Sequence, residues 1–417
     1  MNWRPLTSLL LAVSALTRPL YGVAAEPDYE KIYPQYVEYC GLSQITKVST
    51  YGIKEVGGQG GHAVFLIRGA CHDHSYPYAR LKICEESDPL PHEVGTSVNS
   101  DFQTYNWVAT DSKDFLFYGG IKPGQDFDVA AYNQVQLKAQ EMDVLNGMHY
   151  HTELYAKNET PGMNDVTYMY QDSIGTDYGA NLGRNMTCDR LPVSRQQLQE
   201  IVDYYNSRND YYYLNHINFE WSFLNNNCAH LPHNALAEAG FWAPVEIGQP
   251  LPQALDAIEI PQNLFVNMMR RTNDMPLEEP DELFRDEYAR KALLERGWLP
   301  TQPGSLAEYI PVHQPNQIFA TNLSDLLFQI PLVDPAGSDR TRFITDARYT
   351  DIKSNLEYYL SRYQAIQKNR QPLEHYTTPH GRTDALVTDP AFPAFYAKYY
   401  DYIAQQIQSV TEKLSQL

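Results

Sequence analysis

Apolar and polar positions alternate with a period of two along much of the first half of the chain. Segments 45–51, 80–84, 104–108 and 115–118 alternate, and 62–67 (HAVFLI) is a compact apolar run of strand length. Residues 148–155 alternate again, and 211–221 reads as extended. Gly119-Gly120 and Pro123-Gly124 mark turns, and a glycine-rich stretch at 57–61 (GGQGG) comes just before His62. Helical patterns interrupt these strands. Residues 127–147 form one, stopped by Gly147. A second opens at Ser194, with Gln197 where a capping box requires it and Leu198, Ile201, Val202 and Tyr205 on one face. Residues 228–239 read as a third helix, ended by Gly240. The leading segment 26–45 includes a short helix, and 158–184 is a polar loop or insertion.

Past residue 245 the pattern changes. Prolines recur, and 282–297 and 351–369 carry amphipathic helical patterns between Pro-rich connections at 299–316 and 370–394. The expected organisation is a first folded part over 26–245 and a mainly helical C-terminal region over 246–417. Residues 1–25 read as a signal peptide: a short basic start, an apolar run at 6–16, then small residues at Val23-Ala24-Ala25. That run is roughly 11 residues, short of the ~20 needed to span a bilayer. The expected location is periplasmic or secreted, with no integral membrane segment after cleavage.

Composition narrows the function classes. Of the 417 residues 43% are apolar and 20% charged, enough for a packed core and too apolar for disorder. Acidic residues number 51 against 32 basic, a net charge of −19, which argues against binding nucleic acid or docking by charge on anionic lipid. The 32 tyrosines suit half-wet grooves. There are five cysteines, Cys40, Cys71, Cys84, Cys188 and Cys228. In an oxidising compartment four pair off and one is left over. The simplest partition leaves Cys228 free, with three pairings open among the other four.

Cys228 has the setting of a nucleophile. Asn227 reads as an N-cap that puts Cys228 in a first helical turn, where unpaired N–H groups and the helix dipole favour a thiolate and hold an oxyanion. Pro232 then implies a kink or an opening turn of 3₁₀ type. His230 and His233 sit two and five positions on, away from the sulfur on a helix. His62, at the start of a strand after a glycine-rich turn, is the better base.

The stretches Gly61-His62-Ala63-Val64-Phe65-Leu66 and Asn226-Asn227-Cys228-Ala229-His230 resemble the two active-site motifs of permuted papain-like enzymes of the lecithin–retinol acyltransferase type. The order of pieces is similar to the bacterial family of unknown function numbered 4105, the periplasmic domain of the lipoprotein N-acyltransferase Lnb. Segments Gly119-Gly120-Ile121-Lys122-Pro123-Gly124 and His151-Thr152-Glu153-Leu154-Tyr155 fall in that order as well. The resemblance covers roughly 45–240. It implies an α+β fold, a circularly permuted papain-like domain with an antiparallel sheet and a Cys-bearing helix. It also implies a thioester mechanism with Cys228 as nucleophile and His62 as base, without cofactor or metal. The implied substrates are lipids, lipoproteins or peptides. Acyl transfer is expected first, with amidase, peptidase or lipase-like hydrolysis as the alternative. Unlike an integral lipoprotein acyltransferase, this chain has no later membrane span.

Three further matters stay open in the sequence. The residue that orients His62 depends on the hairpin register. A tight turn at Arg68-Gly69 brings His74 opposite, and a longer loop over 70–78 brings Glu85 or Glu86. The longer loop is the preferred register, and it disfavours a Cys71–Cys84 bond. Metal binding is a rival reading, either at His149, His151 and Glu153 on one face of a strand or at Cys71, His72, Asp73 and His74. A non-catalytic binding protein on the same scaffold is the other rival.

Overall fold

The computed structural model describes residues 26–48, 56–57, 60–151, 153, 163–248, 259–329, 334–377 and 389–417. The signal peptide expected at 1–25 and part of the glycine-rich stretch before His62 lie outside the described residues.

The fold is α+β. Its centre is a six-stranded antiparallel sheet built from β1 (Tyr36–Leu42), β2 (His62–Arg68), β3 (Glu93–Ser97), β4 (Val108–Thr110), β5 (Met186–Pro192) and β6 (Leu306–Ile310). The spatial order is β6-β5-β1-β2-β3-β4. Successive residues of β1 and β2 feed two different cores. Val37, Tyr39, Ala63, Phe65 and Ile67 face one side. Tyr36, Cys40, Leu42, Val64 and Leu66 face the other. Every residue of β1, β3 and β5 is buried. With both faces covered there is no polar face to alternate with, so β1, β3 and β5 escape the period-two pattern. Glu38 in β1 is tolerated because Lys113 and Arg190 reach its carboxylate at 3.0 and 3.3 Å.

Helices pack around this sheet, among them α1 (Val129–Glu141), α2 (Arg195–Asn215), α3 (His230–Glu238), α4 (Pro261–Asn273), α5 (Ile352–Lys368) and α6 (Phe392–Leu414). The capping box at Ser194 and Gln197 forms as expected. The helix it opens runs to Asn215, through part of the stretch expected to be extended at 211–221. Residues 115–118, where a strand is expected, belong to a short helix, Lys113–Tyr118, capped by Ser112. Residues 148–151 contribute only an isolated bridge, Tyr150 to Phe102.

The C-terminal region is mainly helical, but the change in composition near 245 is not a break in the sheet. Strand β6 comes from beyond it and pairs along β5, from Leu306 opposite Arg190 to Ile310 opposite Met186. The region also supplies α5 and α6, which pack together over the second core.

Two disulfides are present. Cys40 and Cys188 sit directly opposite on β1 and β5. This bond joins residues 148 apart in sequence, which in chain-entropy terms is worth about 5 kcal/mol. Cys71 bonds Cys84, contrary to the longer-loop expectation. The chain turns at Gly69 into a separate small hairpin, Ala70–His72 against Leu81–Ile83, so both cysteines lie at the same end. The strand next to β2 is β3 instead, with Val64 opposite Ser97. Neither register weighed for the His62 strand is therefore realised. Two disulfides fit an oxidising compartment. Among the described residues no helix is long and apolar enough to cross a membrane.

Candidate functional site

The site is assembled at one end of the sheet. His62 is the first residue of β2 and lies opposite Leu42. Gly61 before it has φ +76, and a Cβ there would stand 2.5 Å from the Leu42 carbonyl oxygen. Only glycine fits this close turn, which gives a physical reason for the Gly-His pair.

The imidazole shares its face of β2 with Val64. On that face its Nε2 lies 3.0 Å from Ser97 Oγ. Ser97 donates to Asp177 Oδ1 at 2.7 Å, and Asn99 donates to Asp177 Oδ2 at 2.9 Å. His62, Ser97, Asn99 and Asp177 are all buried. Burial pushes the Asp177 carboxyl up to about 6, against the opposing pull of its bonds to Asn99, Ser97 and Ser173. Burial also holds His62 well below the usual imidazole range. The Arg184 charge adds to this, while the Thr176 carbonyl pulls the other way. Arg184 is itself buried and ties the 175–176 turn to the end of β1. It donates to the Gly175 carbonyl at 2.7 Å, the Ser43 carbonyl at 2.8 Å and Thr176 Oγ1 at 3.2 Å.

Cys228 is the unpaired cysteine. It lies in a turn just before α3, not inside the helix. His230 N–H closes that turn on the Asn227 carbonyl at 3.2 Å, the opening i→i+3 turn that Pro232 implied. Because the helix proper starts at His230, Pro232 falls in its first turn, where a missing N–H costs little and no kink is needed. Asn227 fixes the turn: its Oδ1 accepts from Ala229 N–H at 2.8 Å, and its Nδ2 donates to the carbonyls of Phe223 and Glu259. The backbone N–H groups of Ala63, Cys228 and Ala229 lie near the sulfur and favour its anion, as does the Arg184 charge. Burial outweighs them and pushes the thiol up to about 12. The residue is 5% exposed.

The two residues singled out from sequence are thus neighbours through the backbone but not through their side chains. Cys228 packs in the core of Ala63 and Phe65, whereas His62 alternates with Ala63 and turns to Ser97. Among the described residues no hydrogen bond joins the sulfur to the imidazole. His230 and His233 are bound elsewhere. His230 Nδ1 accepts from Asn227 N–H, and burial pushes its imidazole down to about 4. His233 stacks on Trp242 and meets Glu259 at 3.1 Å.

The metal-ligand sets weighed from sequence change membership. Of the stretch 148–155, residues 148–151 do not form the expected strand, and among the described residues His151 pairs with Glu153 at 3.1 Å without His149. Cys71 is held in its disulfide and cannot ligate. Two surface clefts are evident. The cleft of about 480 Å³ is lined by Arg68, Leu90 and His92, and that of about 360 Å³ by Met148, His149 and Tyr170; neither is lined by Cys228 or His62.

Ser97, Asp177, Asn99 and Arg184 were missed from sequence. Ser97 could have been found by placing 93–97 beside β2. Asp177 and Arg184 belong to the irregular chain on either side of the short helix Ala180–Gly183, where no periodicity points to them. Comparisons with family models, curated proteins and solved structures found no match to this chain.

Proposed function

We propose that the protein is an exported thiol enzyme of permuted papain-like type, and that the present arrangement of His62 and Cys228 is its closed, resting form. The single observation that carries this reading is the placement of the one unpaired cysteine at a helix opening and beside the backbone of His62 and Ala63, where nearby backbone N–H groups and the Arg184 charge favour its anion. In the working form His62 leaves Ser97 and takes the thiol proton. It is neutral at pH 7, as a base must be. The sulfur attacks an acyl carbonyl, a C–S bond forms, and the C–O or C–N bond to the leaving group breaks. The imidazolium returns its proton to that leaving group. An amine, alcohol or water then attacks the thioester, loses its proton to His62, and releases the thiol. Arg184 favours both the thiolate and the neutral imidazole. Lipid or lipoprotein acyl groups are the proposed substrates, with hydrolysis of amides or esters as the variant outcome.

A second reading, a binding protein on this scaffold, draws on the buried thiol near pKa 12 and the His62 side chain committed to Ser97. One experiment separates the two. The mature protein is incubated with p-nitrophenyl decanoate in detergent, and nitrophenol release is followed together with intact mass. The thiol reading expects a decanoyl adduct mapped to Cys228, absent in Cys228→Ser and formed far more slowly in His62→Ala. Release that is unchanged in Cys228→Ser, or no adduct at all, would overturn it in favour of the binding protein.

A further inference from the structure

Away from that site, the small stapled hairpin brings two histidines and an aspartate together. His72 ends the strand Ala70–His72, opposite Leu81. Asp73 folds the chain back after it. Its Oδ1 accepts from Ser75 N–H at 3.1 Å and from Ser75 Oγ at 2.6 Å, and its own N–H donates to the Arg80 carbonyl. The fold-back sets the rings of His72 and His74 with centroids 4.1 Å apart. Asp111, one residue past the end of β4, faces both. His72 Nδ1 lies 3.3 Å from its Oδ1, and His74 Nε2 lies 3.3 Å from its Oδ2. All three residues offer a ligand atom within 4.8 Å of the others.

These distances are long for charge-assisted hydrogen bonds, which run about 2.7–2.9 Å. They match a different geometry. Two ligands bonded at about 2.0–2.1 Å to one tetrahedral ion stand roughly 3.3–3.4 Å apart. Asp111 Oδ1 is moreover buried with no hydrogen-bond partner, an orphaned acceptor that a cation would satisfy. The other ligand-type cluster among the described residues, Glu38 with Cys40 and Cys188, offers no such site because its two sulfurs are bonded to each other.

We propose that His72, His74 and Asp111 form a site for a divalent transition ion, zinc foremost, that clips the hairpin to the end of β4. Two imidazoles and one carboxylate suit zinc, cobalt or nickel, and supply too few oxygens for calcium or magnesium. The Cys71–Cys84 bond fixes the His72 side in place. His74 is the adjustable ligand, with its side chain 62% exposed. The remaining coordination position opens to solvent on the His74 side and takes water.

The full chain, stripped with chelator, is titrated with zinc by calorimetry and with cobalt by visible spectroscopy. Wild type is expected to bind one equivalent at this site and show the absorption of four-coordinate cobalt, with a higher Tm in zinc. His74→Ala and Asp111→Asn each weaken zinc binding at least tenfold and abolish the cobalt band and the Tm rise. His74 is exposed enough that its variant keeps the wild-type circular dichroism, so loss of binding there cannot be loss of fold. The absence of zinc binding at millimolar metal, or binding left equally tight by both substitutions, would overturn the site and leave an ordinary hydrogen-bonded cluster.

Discussion

Asp189 lies in β5 with Ser305 donating to its Oδ1 at 3.0 Å and its Oδ2 buried without a partner. Burial, reinforced by the charge of Glu38, pushes its carboxyl up to about 8 despite the Ser305 bond. The unfolded chain releases that proton near pH ~3.9. The folded state therefore holds a proton that the unfolded state has lost, and stability falls as pH rises toward 8. Asp177, at about 6, acts the same way over a lower window. His62 and His230 act in the opposite sense. Their folded values are depressed, so stability falls as pH drops below the unfolded imidazole value of ~6.5. Between pH 6.5 and 8 Asp189 dominates, and the wild type is expected to lose ~1 kcal/mol across that interval, the histidines offsetting part of the Asp189 effect. Asp189→Asn should be nearly flat there, as read from urea midpoints at several pH values. Parallel slopes for the two proteins would show that Asp189 is ionised in the fold. The same burial logic sets Cys228: with its thiol near 12, iodoacetamide at pH 8 should leave it unmodified in the resting form while modifying it after denaturation.

At the scale of elements, α2 substitutes for missing β-ladders. Asn209, fully buried, accepts from the N–H groups of Asn106 and Trp107 and donates to the carbonyls of Ala79 and Trp107. One turn earlier, Asn206 bonds both the N–H and the carbonyl of Leu81. Segment 104–107 alternates like a strand, but the side chain of Asn209 satisfies backbone groups there and only 108–110 joins the sheet. Asn209→Ala leaves four buried backbone groups without these bonds, each costing about 1–3 kcal/mol. A loss of at least ~3 kcal/mol by urea unfolding is expected, against under ~0.5 kcal/mol for an exposed control on the same helix such as Gln199→Ala. Side-chain substitution of this kind also bears on how much could be read from the chain. Local signals were legible: the Ser194 capping box, the apolar run at 62–67, the odd cysteine, and the Gly-His turn. Strands buried on both faces were not, because β1 and β5 carry Glu38, Asp189 and Arg190 among their apolar residues. Nor was the partner of His62, because Ser97 reaches it only through strand pairing and Asp177 only through a turn far along the chain.

At the scale of the molecule, the composition boundary near 245 suggests two separable parts, 26–245 and a mainly helical 246–417. The packing says otherwise. Tyr36, Cys40, Leu42, Val64, Leu66, Met186 and Cys188 form one face of the central strands, and their core is completed by Leu277, Phe284, Leu356, Tyr359, Phe395, Tyr399 and Ile403 from beyond the boundary. The first part also lends hydrogen bonds across it. Tyr29 and Tyr33 donate to the carbonyls of Gly304 and Pro303, and Tyr39 donates to that of Pro261. Even the Cys228 turn depends on the later chain, through Asn227 and the Glu259 carbonyl at 2.8 Å. Truncation after 245 would bare the β5 edge where β6 pairs and strip one whole face of the sheet, an arrangement prone to edge-to-edge association. The 26–245 fragment is therefore expected to be aggregated or to lack near-ultraviolet circular dichroism, even with both disulfides formed. A monomeric fragment with native-like near-ultraviolet signal and an unreactive Cys228 would show instead that the C-terminal region only covers a sheet able to stand alone. In the expected case the C-terminal helices help build the ground on which the His62 and Cys228 turns are held, and substitutions in α4 or β6 should alter thiol accessibility at a distance.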